Sequence, residues 1–109
     1  MSEPRLRLRG QHLWMSHELV AEHFPDAYAV LVNFNKGSGV LWIGPMTEDH
    51  MMNKFSTVSQ YLLKLRNAKG DRTIAIHDLL LDNELPPDNR PLTYKWDSKF
   101  NILKIPFLA

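Results

Sequence analysis

The chain contains no cysteine among its 109 residues. This absence excludes a disulfide framework, a thiolate metal site and a cysteine nucleophile. A domain of this length can fold without such cross-links when its hydrophobic core is adequate. Because thiol-free folding suits a reducing compartment, we expect a cytoplasmic protein.

Long apolar runs are also missing. No stretch approaches the ~20 apolar residues that a membrane-spanning helix needs, and no apolar segment typical of a signal peptide follows Met1–Arg5. We therefore expect one soluble domain over residues 1–109 that does not contact a membrane.

The chain has little net charge, since thirteen Lys and Arg residues against twelve Asp and Glu residues leave a formal charge of +1. Proteins that coat polyanions depend on a large basic excess, so the balance argues against a histone-like function. It does not exclude a local basic patch.

Apolar spacing divides the chain into elements. Alternation over Arg5–Arg9 predicts a half-buried strand, and Ser16 is placed to cap a short helix that ends before Pro25. Apolar residues recur every three or four positions from Thr47 to about Arg66, which predicts one long amphipathic helix. Further predicted elements are strands at 28–34, 40–43, 73–76, 92–96 and 100–105, hairpin loops at 35–39 and 97–99, and a helical turn at 77–81.

The two halves of the chain resemble each other at an offset of 60 residues, with Gly10, His17 and Leu19 aligned on Gly70, His77 and Leu79. We predict an internal repeat of 5–46 and 67–107, joined by the helix at 47–66. The predicted fold class is α+β, with two related strand–turn–strand–hairpin units that form a β barrel-like or mixed sheet. Convergent hairpins in an ordinary α+β domain are the alternative interpretation.

Two stretches carry a family resemblance. Lys69-Gly-Asp-Arg72 is followed by Thr-Ile-Ala-Ile-His-Asp-Leu-Leu80, and Val40-Leu-Trp-Ile-Gly-Pro-Met46 precedes the predicted helix. Within a duplicated order of elements, these stretches resemble the MraZ family, the two-copy relatives of AbrB-type swapped-hairpin transcription regulators. The resemblance covers nearly the whole chain.

This resemblance implies a DNA-binding transcription regulator that acts as an oligomer, because subunits of that family close into rings. It places Arg72 on a DNA-facing arginine of the family. The sequence departs from the pattern at His12, where the family has arginine, and at Ser16 and Ile76, where it has proline. Such departures are compatible with a fold that has lost its DNA-binding role.

The basic residues near the two glycines are the candidate nucleic-acid site. Arg5, Arg7 and Arg9 alternate, so a strand places them on one face, where they could contact phosphates. The alternative is the solvated face of an edge strand, where charges block aggregation. If the two glycine turns lie together, one patch that binds double-stranded DNA would contain Arg5, Arg7, Arg9, Lys69 and Arg72.

Two residues are candidate partner contacts. Trp14, Trp42 and Trp96 fall on predicted strands and are expected mainly in the core, but Trp96 also lies beside lysines at a hairpin tip. Met52 falls outside the main apolar stripe of the predicted helix. These two would serve the alternative function, a non-enzymatic interaction module or a subunit of an assembly.

Signatures of chemistry are absent from the sequence. The five histidines include no helical i, i+4 pair, and there is no nucleophile elbow, phosphate loop or dinucleotide fingerprint. We therefore expect no enzymatic activity, no metal and no cofactor.

Overall fold

The computed structural model describes residues 4–45 and 59–107, and in these residues the chain forms ten strands and two short helices. In chain order the elements are β1 (Leu6–Arg9), β2 (His12–Met15), α1 (His17–His23), β3 (Ala29–Asn35), β4 (Val40–Pro45), β5 (Ser59–Leu62), β6 (Lys64–Leu65), β7 (Arg72–Ala75), α2 (His77–Asp82), β8 (Arg90–Pro91), β9 (Lys95–Asp97) and β10 (Ile102–Pro106).

The strands form two antiparallel sheets of five strands each. The first sheet has the order β6-β7-β2-β1-β8, and the second has the order β5-β3-β4-β10-β9. Side chains from both sheets and both helices share one buried cluster, which includes Leu13, Ile43, Leu19 and Leu80. The two sheets therefore pack face to face, with α1 and α2 contributing to the core between them.

The prediction of an α+β fold with a barrel-like sheet and one long helix is wrong. Residues 59–65, the last third of the helix predicted over 47–66, form β5 and β6, and the two sheets do not close into a barrel. Residues 46–58 lie outside the described part of the chain. The side chains of Leu62 and Leu65 are 54% and 57% exposed, so their three-residue spacing does not mark a buried stripe.

Leu63 joins the two sheets. β5 pairs with β3 in the second sheet, and β6 pairs with β7 in the first. The backbone N–H of Leu63 donates to the carbonyl of Tyr28 at 2.8 Å, and its side chain is buried in the shared core. The chain thus passes from one sheet to the other within a single residue, and this pairing outweighs the helical periodicity of the segment.

Several local predictions are confirmed. Ser16 caps α1, where its hydroxyl accepts a hydrogen bond from the backbone N–H of Leu19 at 3.2 Å. The hairpin loop at 35–39 connects β3 to β4, and the helical turn predicted at 77–81 is α2. These features depend on short-range chemistry, so the sequence is enough to find them.

The strands that follow the two glycines lie side by side. β2 pairs with β7 so that His12 faces Ala75 and Met15 faces Arg72. At the offset of 60 residues, His12 aligns with Arg72 and Met15 with Ala75, so the two strands are related by a local two-fold arrangement. The internal repeat itself stays a prediction, because hairpins of independent origin can also pair in this way.

Gly10 and Gln11 form the turn between β1 and β2. Both residues have positive φ angles, 57° and 62°, and Arg9 pairs with His12 across the turn. Two consecutive left-handed residues define a type I′ turn, whose twist matches that of antiparallel strands.

We expect Gly10→Ala to lower the free energy of unfolding by about 1 kcal/mol, because an L side chain is disfavoured at this backbone conformation. Gly10→Asn should cost less, since asparagine tolerates the left-handed region. A Cβ atom at Gly10 would meet no atom within 4 Å, so packing does not contribute to the difference. Urea denaturation of both variants measures the effect, and equal losses would contradict this account.

Candidate nucleic-acid interface

The outer face of the first sheet carries the candidate site. In β1, Leu6 and Leu8 are fully buried in the core, so Arg7 and Arg9 project from the opposite face, because successive side chains of a strand alternate. β2 alternates in the same way and places Trp14 beside Arg7 across the pair. An aromatic ring and two guanidinium groups therefore share one surface.

Three guanidinium groups surround the Trp14 ring. The Cζ atoms of Arg7, Arg9 and Arg66 lie 5.0, 5.2 and 5.8 Å from the ring centroid, within the range of cation–π contacts. Arg66 reaches the ring from the β6 side, where its Nε donates to the hydroxyl of Thr73 at 2.8 Å. This hydrogen bond holds one end of the guanidinium group and leaves its Nη atoms available.

Two lysines extend this cationic surface. Lys64 pairs with Thr73, which in turn pairs with Trp14, so the Lys64 side chain lies on the same face. Lys69 lines a cavity of about 290 Å³ together with Arg7 and Trp14. We call this surface the basic face, defined by Arg7, Arg9, Trp14, Lys64, Arg66 and Lys69.

Two carboxylates border the basic face, since Glu18 and Asp71 line the same cavity as Arg7 and Lys69. Within residues 4–45 and 59–107, none of the three guanidinium groups forms an ion pair with a carboxylate. The Nε of Arg7 is buried without a hydrogen-bond partner among these residues. A second cavity, of about 590 Å³, runs along β1 and β8 and is lined by Arg7 and Arg9, so both side chains border open space.

The carboxylate of Asp71 accepts hydrogen bonds that orient the Trp14 ring. One oxygen, Oδ2, accepts hydrogen bonds from Asn67 Nδ2 at 3.0 Å and from the indole Nε1 of Trp14 at 3.4 Å. The other, Oδ1, accepts from the backbone N–H of His17 at 2.7 Å. Burial by itself raises the pKa of Asp71, but the hydrogen bonds from Asn67, His17 and Trp14 outweigh it and lower that pKa to about 2. The carboxylate is thus charged at neutral pH.

Asn67 shapes the turn that presents Lys69. Its Oδ1 accepts hydrogen bonds from the backbone N–H groups of Lys69, Gly70 and Asp71 at 3.1, 3.2 and 3.2 Å. Gly70 adopts a φ of 106°, which side chains disfavour. The segment that follows the helix predicted over 47–66 is thus the connection between β6 and β7.

The basic face contains three of the five residues expected to contact DNA, namely Arg7, Arg9 and Lys69. Arg5 lies elsewhere and forms an ion pair with Glu22 of α1. That pairing raises the pKa of Arg5 and lowers the pKa of Glu22, mainly through the hydrogen bond between them. Arg5 therefore links β1 to α1, and the carboxylate of Glu22 neutralises the charge that Arg5 would otherwise present to a ligand.

Arg72 lies on the other face of the first sheet. It pairs with Met15, whose side chain is buried in the core, and its Nη1 donates to the carbonyl of Leu63 at 3.4 Å. The position that carried the family resemblance is thus separated from Arg7 and Arg9 by the sheet itself.

Trp96, predicted as a partner contact, is half-buried against α1. Its ring stacks on His23 with 4.0 Å between centroids and meets Phe24 edge to face at 6.0 Å. Burial lowers the pKa of His23, so the stacked imidazole is neutral at pH 7. Met52, the other predicted contact, lies outside the described residues.

Sequence reasoning missed Arg66 and Lys64 and assigned Trp14 to the core. The signal was the alternation of Lys64, Leu65 and Arg66 directly before an Asn-x-x-Gly turn, which is typical of a strand that enters a hairpin. The longer helical periodicity obscured this signal.

Comparisons with protein-family models, curated proteins and solved structures found no match for this chain. Among the described residues, no group of three or more His, Asp or Glu side chains is arranged to hold a metal ion. Neither of the two described helices is long and apolar enough to cross a membrane. The expected kinship with the MraZ family stays a prediction, and the basic face is the feature of this chain that bears on function.

We expect Asp71→Asn to lower the free energy of unfolding at pH 7 by about 2 kcal/mol, because the carboxylate accepts several charge-assisted hydrogen bonds. The pKa of Asp71 is lowered on folding, so its stabilising contribution is present above the ordinary pKa of 3.8 and is lost as the pH falls towards about 2. Urea denaturation across this acidic range should show the difference between variant and wild type narrowing.

The exposed loop residue Asp88 provides the control, since Asp88→Asn should change stability by less than about 0.5 kcal/mol. If the free energy of unfolding of Asp71→Asn stays below that of the wild type by the same amount from neutral pH down to pH 2, the proposed role of the carboxylate is contradicted.

Proposed function

We propose that the protein binds DNA through the basic face, as a non-enzymatic protein of the transcription-regulator type that acts in the cytoplasm. The observation that carries the proposal is the convergence of Arg7, Arg9 and Arg66 on Trp14, with none of the three in an ion pair among the described residues. Guanidinium groups match the geometry of phosphate oxygens and form bidentate hydrogen bonds with them. Several such groups on one flat surface suit a phosphate backbone.

Preorganisation supports this proposal. Thr73 holds the Nε of Arg66, and Asp71 holds the indole of Trp14, so part of the surface is ordered before any ligand arrives. Side chains that are already ordered lose less entropy on binding. The Nε of Arg7 is buried without a hydrogen-bond partner in the described ranges, and an anion can bind the other nitrogen atoms of this guanidinium group.

Part of the acidic charge of the chain lies away from the basic face. Asp78 and Asp82 of α2 line a cavity of about 280 Å³ together with Val32 of the second sheet and Tyr61. Burial raises the pKa of Tyr61, and the two carboxylates raise it further. Lys36 lines the same cavity, so these acids have a basic neighbour of their own and do not oppose the charge of the basic face.

We expect a triple variant, Arg7→Gln with Arg9→Gln and Arg66→Gln, to weaken DNA binding and to flatten its salt dependence. Each lost phosphate contact lowers the slope of log K against log salt by roughly 0.7 to 0.9, so three contacts lower it by about two to three. Fluorescence anisotropy with labelled single-stranded and duplex DNA over a salt series measures the slope.

Arg72→Gln is the matched control, because this arginine lies on the other face of the sheet. It should retain the wild-type slope. Absence of binding to either form of DNA at low salt would contradict the proposal. A loss of DNA affinity in Arg72→Gln but not in the triple variant would place the site near the turn at Gly70 instead.

A second candidate function is self-association at the edge formed by β5 and β6. β5 is the outermost described strand of the second sheet, so no described strand pairs with one side of its backbone, and such a side can pair with another strand. Its residues, Ser59–Leu62, carry no charge, so two copies of β5 could pair without repulsion. Exposed Tyr28, Leu62 and Leu65 add apolar surface nearby, at 70%, 54% and 57% exposure. The partner we propose is a second copy of the chain.

We expect size-exclusion chromatography with light scattering to give the mass of a dimer or larger oligomer for the wild type. Leu62→Asp should shift the protein to a monomer, because it places a charge in the middle of the proposed contact. Leu81→Asp is the control, since Leu81 is 68% exposed but lies on α2. A monomeric wild type at high protein concentration would exclude self-association.

A further inference from the structure

Two rings lie next to each other on the outer face of β2, a central strand of the first sheet. His12 and Trp14 are half-buried and alternate with Leu13 and Met15, which are fully buried. Side chains two positions apart in a strand are separated by roughly 7 Å. Neighbouring bases of an extended single strand could therefore each lie over one ring.

The strands on either side of β2 differ in chemistry. On β1, Arg7 lies opposite Trp14 and Arg9 lies opposite His12. On β7 the residues in the same two positions are Thr73 and Ala75, which have short side chains. Thr73 is 1% exposed and lies beneath Arg66, which donates a hydrogen bond to it. The low surface that leaves room for a base is therefore at Ala75, beside His12.

The Trp14 ring is held ready for stacking. Its indole N–H is bound by Asp71, so the ring cannot turn freely. The guanidinium groups of Arg7, Arg9 and Arg66 are 5.0, 5.2 and 5.8 Å from its centroid and belong to long side chains. A base can replace them at the ring while they turn towards the neighbouring phosphates.

The same surface offers little to a double helix. Both described helices bury apolar residues in the core, and of these helices only the start of α1, at His17 and Glu18, borders the basic face. Neither helix therefore projects from this face as an element that could enter a groove. Bases in a duplex are stacked on each other and cannot reach a ring on a flat sheet, whereas unpaired bases stack readily on aromatic side chains.

We infer that the basic face binds single-stranded DNA in preference to duplex, with bases on His12 and Trp14 and phosphates against Arg7 and Arg9. This inference rests on the proposed function and specifies the ligand of that site. Sequence preference is expected to be weak, because every base has a face that can stack.

The experiment compares one labelled oligonucleotide of mixed sequence, as a single strand and annealed to its complement, by fluorescence anisotropy at matched salt. We expect the wild type to bind the single strand roughly tenfold more tightly or better, as stacking on an aromatic ring allows. Trp14→Leu should reduce this preference to less than twofold, and Trp14→Phe should keep most of it.

Trp42→Leu is the matched control, because Trp42 lies beside Lys104, 4.6 Å from its ring centroid, on the second sheet. It should bind like the wild type. His12→Ala should lower single-strand affinity without touching the Asp71 hydrogen bonds, and thermal unfolding monitored by circular dichroism verifies that each variant is folded.

The outcomes separate the two proposals. Equal affinity of the wild type for both forms, with the salt slope still reduced in the arginine triple variant, overturns the single-strand inference and leaves DNA binding standing. A preference that survives in both Trp14→Leu and His12→Ala also overturns it. Absence of binding to either form contradicts the proposed function itself.

Discussion

The carboxylate of Asp71 connects the three segments on which the candidate site depends. It is bound by Asn67 in the β6–β7 turn, by the backbone N–H of His17 at the start of α1, and by the indole of Trp14 on β2. A buried carboxylate is costly unless donors surround it, so the three segments must come together for the charge to be accommodated. One anion thereby stabilises the pairing of β2 with β7 and the orientation of the ring that the arginines surround.

Local patterns in the sequence were sufficient for the parts of the fold that depend on near neighbours. The alternation over residues 5–9 predicts β1, the glycines after Asn35 predict the β3–β4 hairpin, and Ser16 predicts the start of α1. The prediction failed where distant strands decide the outcome. The helical spacing that includes Leu62 and Leu65 carries no information about β3 and β7, whose open edges pair with this segment.

The candidate site was predictable to the same limited extent. Arg7 and Arg9 follow from alternation in β1, whereas Arg66 could not be placed while its segment was assigned to a helix. The separate positions of Arg5 and Arg72 depend on the packing of α1 and on the register of β7 against β2. Neither can be derived from the spacing of charges along the chain.

The passage of the chain through Leu63 has a consequence for how the fold opens. β5 and β6 are the outermost described strands of different sheets, yet one residue, 4% exposed, is all that separates them. Withdrawing Leu63 from the core would detach both strands together. The amide protons of β5 and β6 should therefore exchange with solvent as one cooperative unit. The outermost described strands of the two sheets, β5 and β6, would then unfold together although they belong to different sheets.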